Sequence, residues 1–336
     1  MNLVFTICSN NYLAQAISLG ASLLRHNPDY IFKIGLVDRR NEMIQYDQIS
    51  YELVEVENIG ISSFDDMFKQ YSITELNTAV KPFYFKYFFS LIPKIDRIIY
   101  LDPDIMVYSP FAELDKVLEE NEIVITPHFT TPIDDDRFQA ENDFLNSGLY
   151  NLGFIALKKG IESQKLIEWW AKRLETKAFI SFAKGMFTDQ IWINFAPLFF
   201  DRVHILLHPG YNMAYWNLHE RILKDSKMVI KKNISYPLVF FHFSGFNPLR
   251  PDVLSKYQDR FSFENRKDIV NLFVEYSSMI KSNKYFENAD IPCYYVIEKN
   301  KIDLISATKI ARSVPLFKKA LKKIIRFTIK ALKIEL

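Results

Sequence analysis

Asp102 and Asp104 stand one residue apart at the carboxyl end of the apolar run Arg97-Ile98-Ile99-Tyr100-Leu101, with Pro103 between them and Ile105-Met106-Val107 behind. On an extended segment an i, i+2 pair points to one side, and Pro103 biases Asp102 toward extended conformations, so both carboxylates could converge on one hard divalent cation. A cation held this way can sit against a diphosphate. Apolar residues on both flanks predict a buried strand, and in open α/β sheets ligands bind beyond the carboxyl ends of such strands. Asp-Pro-Asp is equally a turn string, in which Asp104 would cap local backbone amides. The spacing alone leaves both readings standing.

The elements that would position this pair follow from the alternation of apolar patterns. Leu3–Cys8 reads as a strand, Tyr12–His26 as an amphipathic helix, Phe32–Val37 as a strand ending at Asp38, and 41–49 as a second helical stretch. Thr74–Leu91 is helical and aromatic, broken near its start by Pro82; Ile98–Leu101 and Ile123–Thr126 are further strands, and Ile161–Glu175 is an outer helix. A helix within Gly185–Pro197 precedes strands at Val203–Leu207 and Leu238–Phe243. This β-α alternation predicts an α/β fold with a mostly parallel central sheet flanked by helices. After Pro251 the pattern turns helical, with Arg266–Lys281 and a terminal helix separated by a polar stretch over 282–290.

Composition narrows the class. The chain has 336 residues, 49% hydrophobic and 15% aromatic, enough for one large core or two moderate ones. Cys8 and Cys293 form no disulfide framework and no Cys-x-x-Cys pair, so a reducing cytoplasm is expected. The N-terminus lacks a basic leader and reads directly as the first strand, and no apolar run is long enough to span a bilayer.

Charge is nearly balanced at +2 but uneven in distribution. Lys318, Lys319, Lys322, Lys323, Arg326, Lys330 and Lys333 face only Glu335 in the tail, leaving an acidic body. Phe317, Leu321, Ile324, Ile325 and Leu332 recur at helical spacing, which predicts a basic amphipathic helix over 314–336 that lies on an anionic membrane surface. Docking on the chain's own domain or on a partner protein is the alternative. Confinement of the basic residues to one tail argues against nucleic acid as a partner.

Several strings in order carry a family resemblance. Phe5-Thr6-Ile7-Cys8-Ser9-Asn10-Asn11-Tyr12, Tyr100-Leu101-Asp102-Pro103-Asp104, Tyr150-Asn151-Leu152-Gly153-Phe154, Asp189-Gln190, Tyr211-Asn212 and His242-Phe243-Ser244-Gly245 resemble the glycosyltransferase family 8 type of nucleotide-sugar transferase from residue 3 to about 250. The resemblance implies a GT-A fold over 1–250, with a donor-binding half (1–125) and an acceptor half (126–250), followed by a helical extension over 251–336. It implies a UDP-sugar donor, most simply a UDP-hexose, and Mn²⁺ or Mg²⁺ held by Asp102, Asp104 and His242. His242 follows the apolar run Leu238-Val239-Phe240-Phe241, so it too falls at a strand end, where a histidine is otherwise commonly structural.

Further site residues come by the same resemblance. Thr6, Ser9, Asn10, Asn11 and Tyr12 fall on the nucleotide side, Asn151 and Gly153 on the sugar pocket, and Gly245 where backbone amides approach the diphosphate. Asp189 and Gln190 match the pair near the transferred sugar, and retention of configuration is implied. Because an amide is a poor nucleophile, front-face departure is favoured over a covalent intermediate, with the donor phosphate assisting deprotonation of the acceptor. Asp189 is otherwise readable as a helix N-cap.

The sequence departs from the family pattern in three places. Ser9, Asn10 and Asn11 stand where an acidic residue commonly grips uracil. Phe85 stands near the position of an expected arginine, leaving Lys81 or Lys86 as the cation. Pro248 stands near an expected lysine, leaving Arg250.

The acceptor side is marked only by Pro127-His128, the acidic loop Asp134-Asp135-Asp136 and the aromatics Tyr211, Tyr215 and Trp216. Together with the basic tail this predicts a glycan or lipid-linked acceptor, cell-surface polysaccharide synthesis, and a cytoplasmic protein peripheral on the inner face of the cytoplasmic membrane. A non-catalytic membrane-surface scaffold on a degenerate transferase fold is the rival reading. A sugar nucleotidyltransferase is a weaker one, since Ser9–Leu13 contains no glycine for a phosphate loop.

Overall fold

The computed structural model describes residues 1–225, 227–313 and 324–327. β1 (Asn2–Cys8), β2 (Tyr30–Leu36) and β3 (Glu52–Glu55) pair in parallel, with α1 (Leu13–His26) crossing between the first two. Helices α2 (Phe64–Gln70), α3 (Ile73–Ala79) and α4 (Lys81–Leu91) lead to β4 (Arg97–Leu101), which pairs in parallel with the other side of β1. Then come β5 (Ile105–Val107), α5 (Ala112–Glu120), β6 (Ile123–Pro127), α6 (Glu141–Ser147), β7 (Tyr150–Lys158) and α7 (Ile161–Leu174).

β7 lies antiparallel between β4 and β6. The hairpin β8 (Ile180–Ser181) and β9 (Met186–Phe187) and the one-turn helices α8 (Gln190–Ile193) and α9 (Ala196–Phe199) precede β10 (Val203–Ile205). β10 completes a seven-stranded sheet in the order β10-β6-β7-β4-β1-β2-β3. A small antiparallel sheet, β11 (Ile222–Lys224), β12 (Met228–Lys231) and β13 (Ile234–Pro237), leads into β14 (Phe240–His242), which pairs with β5 away from the main sheet.

Along β1 the pleat sends Leu3, Phe5 and Ile7 into one core cluster and Val4 and Cys8 into the other. Each fully buried side chain of this size contributes roughly 1.5–3 kcal/mol. Phe85 belongs to the first cluster, its ring centroid 4.9 Å from that of Phe5. The position where the family places an arginine is therefore core in this chain.

The structure departs from the sequence reading in four places. Residues 41–49 form turns and a 3-10 segment (Tyr46–Gln48) in place of a helix, because Asn41 Oδ1 takes the Met43 N–H and the Asn41 N–H is taken by the Tyr46 hydroxyl. β3 was not expected, its four residues Glu-Leu-Val-Glu being too short to show a period. The break expected at Pro82 falls two residues earlier, at Val80 between α3 and α4, since proline fits within the first turn of α4. The polar stretch at 282–290 contains α11 (Tyr285–Ala289), which follows α10 (Val270–Ser282) and precedes α12 (Tyr294–Ser313).

The C-terminal helices pack on the first half of the chain. Asn283 Nδ2 donates to Ser18 Oγ on α1 at 2.9 Å, and the Tyr294 N–H donates to Asp38 Oδ1 at 2.8 Å. Among the described residues no helix is long and apolar enough to cross a membrane. The basic helix expected over 314–336 lies outside the described residues, except for 324–327.

Candidate active site

Asp102, Pro103, Asp104 and Ile105 form a turn between β4 and β5, closed by the Ile105 N–H on Asp102 O at 3.2 Å. Proline at the second position presets φ for this turn. The turn and metal readings of the string are thus compatible. What converges the carboxylates is the turn itself, not the shared face of an extended strand. β14 runs antiparallel to β5 with His242 opposite Ile105, and the Phe243 N–H donates to Asp104 O at 2.8 Å. That pairing brings the imidazole in: His242 Nε2 lies 3.0 Å from Asp104 Oδ1 and 3.7 Å from Asp102 Oδ2.

One donor atom from each of the three residues lies within 4.8 Å of the other two. Two carboxylates and one imidazole make a donor set suited to a hard or borderline divalent cation, and the His242 nitrogen turned toward the carboxylates is free to ligate when neutral. The residues therefore fit a metal. Tyr100 Oη donates to Asp102 Oδ1 at 2.6 Å, orienting that carboxylate. Burial lifts the Asp102 carboxyl above its ordinary range, with Lys81 and His242 opposing and Asp104 adding to the rise. At His242 burial disfavours the charged ring, but the Asp104 and Asp102 carboxylates carry its pKa above the usual value.

Gly153 is required by this packing. A Cβ there would stand 2.4 Å from His242 Cε1 and 2.8 Å from Asn151 Oδ1. Its carbonyl also accepts the Asp102 N–H at 2.8 Å, so β7 braces the turn directly. The Trp216 ring meets the imidazole edge-on at a centroid distance of 5.1 Å.

Behind this cluster lies a buried ion pair. Lys81 Nζ is 2.6 Å from Asp189 Oδ2, donates to Leu152 O at 2.8 Å, and sits 4.2 Å from the centroid of Tyr100. Lys81, left by the sequence as one of two candidate cations, is buried, with its ammonium committed to Asp189. Asp189 occupies the N-cap position of α8, yet its side chain makes no capping bond. Its backbone carbonyl accepts from Trp170 Nε1 at 3.1 Å.

Gln190 is fixed at both ends of its amide. Oε1 accepts from the Leu152 N–H at 3.1 Å, and Nε2 donates to Ser147 O at 2.8 Å. Asn151 Oδ1 accepts from Gly153 N at 3.1 Å and from Asn212 Nδ2 at 3.0 Å, while its Nδ2 lies 3.3 Å from His128 Nε2. Asn212, part of the Tyr211-Asn212 string, and His128, placed by the sequence on the acceptor side, are thus joined to one another through Asn151. Burial pushes the His128 pKa down to about 3, so this histidine is neutral.

The first loop is organised by a residue the sequence reading passed over. Asp38, at the end of β2, is buried and accepts the backbone N–H groups of Asn10 at 3.2 Å, Arg39 at 2.9 Å and Tyr294 at 2.8 Å. Ser9 Oγ donates to Val37 O at 3.1 Å, and Asn10 Oδ1 accepts from Tyr46 Oη at 2.6 Å. Thr6 is fully buried, Asn11 half-buried, and Tyr12 43% exposed. Burial and the nearby Asp104 carboxylate raise the Tyr12 pKa, keeping the phenol protonated.

Gly245 has a φ of +76°, and a Cβ would stand 2.6 Å from both Ser255 Oγ and Tyr257 Cδ2, so glycine is demanded twice over. Arg250 is exposed, its backbone N–H closing a turn on Asn247 O at 2.8 Å. The structure thus gathers Asp102, Asp104, His242, Gly153, Asn151, Lys81, Asp189 and Gln190 at the carboxyl end of β4, and leaves Arg250 on an outer turn.

The profile described as Glycosyl transferase family 8 matches residues 3–249. The chain belongs to that family and is a glycosyltransferase. It is 27% identical to YfnF of Bacillus subtilis (strain 168) over 254 residues, spanning 72% of this chain and 80% of YfnF. YfnD of the same strain is 24% identical over 255 residues, spanning 72% and 76%. Among solved structures, the galactosyltransferase LgtC in complex with donor and acceptor sugar analogs is 16% identical, covering 83% of this chain and 95% of that one at a TM-score of 0.46. GlyE of Streptococcus pneumoniae TIGR4 is 16% identical, covering 87% and 65% at a TM-score of 0.45.

Proposed function

We propose that the protein is a metal-dependent transferase that moves a hexose from UDP to a glycan or glycolipid acceptor with retention of configuration, in cell-surface polysaccharide synthesis. The observation that carries this is the convergence of Asp102, Asp104 and His242, remote in sequence, on one point at the mouth of the sheet. These three would hold Mn²⁺ or Mg²⁺, which when bound neutralises the charge on a departing diphosphate.

The rest of the work falls to side chains. Tyr100 fixes the orientation of Asp102, and Gly153 leaves room for the His242 ring. Thr6, Ser9, Asn10, Asn11 and Tyr12 form the nucleotide side, with Gly245 and Arg250 assigned to the diphosphate. Lys81 holds Asp189 in place to orient sugar hydroxyls. Gln190, its amide tied to Leu152 and Ser147, presents a rigid dipole and no nucleophile, which favours front-face departure of UDP. The tail over 314–336 is assigned to an anionic membrane on the cytoplasmic side.

Calorimetric titration with UDP, with and without Mn²⁺, tests the reading, followed by a screen of UDP-sugars for slow hydrolysis without acceptor. Metal-dependent UDP binding and hydrolysis of one UDP-hexose are expected. UDP binding indifferent to metal, with no UDP-sugar hydrolysed, would refute it.

A further inference from the structure

Ser255, Lys256 and Tyr257 lie beyond residue 249, where the family profile ends, yet they fold back onto Gly245, just after His242. The Lys256 N–H donates to Gly245 O at 3.1 Å. Ser255 is buried and accepts the Tyr257 N–H on Oγ at 3.2 Å. Its Oγ and Tyr257 Cδ2 are the atoms that a Cβ on Gly245 would meet, so the two segments are in direct contact. Tyr257 also stands between the two sides of the site. Its ring centroid is 6.4 Å from that of Tyr215, which packs on Trp216 and through it reaches His242. On the other side, the Tyr12 pKa is raised by burial first, then by Asp104 and by Tyr257, which puts all three in one neighbourhood.

Charge decides what this segment can bind. Lys256 Nζ rides on the Tyr257 ring at 4.9 Å from its centroid. Between residues 250 and 260 the other charged groups are Arg250, Asp252, Asp259 and Arg260. Arg250 and Asp252 share the outer turn closed by the Val253 N–H on Arg250 O at 3.1 Å. Asp259 Oδ1 takes the Phe138 N–H, and Arg260 is paired with Asp135. Lys256 is exposed and has no carboxylate partner among the described residues. A divalent cation leaves part of the charge of a departing diphosphate unmet, and a lysine on its flexible stem can meet it as a point charge. A surface cation–π contact is weak enough to be exchanged for such a bond.

We infer that Lys256 is a diphosphate-binding residue, its ammonium moving from the Tyr257 ring to the phosphate beside Gly245. It adds to Gly245 and Arg250 a cation joined to the glycine through its own backbone. The inference deepens the transferase reading and rests on it for the nucleotide that carries the diphosphate.

With Mn²⁺ present, the full chain and its variants Lys256→Gln and Lys256→Arg are titrated calorimetrically with UDP and with inorganic pyrophosphate, and uridine binding is followed by ligand-observed NMR. Lys256→Gln should bind both phosphate ligands about tenfold more weakly than the wild type and uridine equally well. Lys256→Arg should recover most of the loss, because it keeps the charge. The side chain is exposed, so an unchanged melting temperature is expected and checks the fold. Wild-type affinity of Lys256→Gln for UDP and pyrophosphate would overturn the inference. So would an equal loss for uridine, which would make Lys256 a support for the shape of the site. If the wild type binds pyrophosphate but not UDP, and Lys256→Gln weakens that binding, the nucleotide reading fails while this one stands. A wild type that binds neither phosphate ligand would overturn both.

Discussion

The imidazole of His242 lies directly over Gly153, so that a Cβ on Gly153 would approach Cε1 to 2.4 Å. Two strands remote in sequence meet here: β7 supplies the gap and β14 the ring that fills it. Gly153→Ala should therefore displace the ring and separate its Nε2 from Asp104. A loss of about 10–100-fold in Mn²⁺ affinity is expected from calorimetry, with a stability loss of about 1–3 kcal/mol by denaturant titration.

Lys81 and Asp189 are 1% and 3% exposed in their side chains and joined at 2.6 Å. Removing one partner of such a pair leaves an uncompensated buried charge. Lys81→Met should destabilise the protein by about 3–5 kcal/mol, and adding Asp189→Asn should recover part of that loss although both charges are then gone. Denaturant midpoints of the two single variants and the double variant measure the coupling. Additive effects would mean that the pair is not an energetic unit.

His128 gives the stability an acid limb. Its folded pKa, about 3, lies below the ordinary histidine value of 6.5, so the unfolded chain binds a proton that the folded one refuses. The contribution is fully present above pH 6.5 and is lost progressively as pH falls toward 3. By pH 5 on the order of 2 kcal/mol of it has been lost. Unfolding free energies measured between pH 7 and pH 5 should fall less steeply in His128→Gln than in the wild type.

Asp38 collects three backbone N–H groups, one of them from the first loop and one from the C-terminal helices. Asp38→Ala strands these donors and frees the loop that carries Ser9–Tyr12. A rise of about tenfold in the Kd for UDP is expected, with Mn²⁺ affinity measured without nucleotide unchanged.

The alternation that builds the sheet was legible because each buried strand and amphipathic helix declares itself locally. Leu3–Cys8, Phe32–Val37 and Ile98–Leu101 were found within two residues of their observed bounds. Asp102 and Asp104 were legible for the same reason. Their convergence with His242 depends on the β5–β14 pairing, which no local pattern reports, and it was reached only through family resemblance. The partner of Lys81, the amide network around Asn151 and the role of Asp38 all rest on contacts between residues far apart in the chain. Phe85 carried a usable signal, since an aromatic in place of the expected arginine amid Phe83, Phe88 and Phe89 reads as core. The turns over 41–49 were misread because side-chain bonds from Asn41 and Tyr46 outcompete a helix whose apolar spacing is weak.

The central claim is that Asp102, Asp104 and His242 form one metal site serving a nucleotide. Calorimetric titration of UDP into wild type, Asp104→Ala and His242→Ala, each with and without Mn²⁺, tests it most directly. Mn²⁺ should strengthen UDP binding in the wild type by at least about tenfold and in neither variant. Equal strengthening in all three proteins would contradict the account.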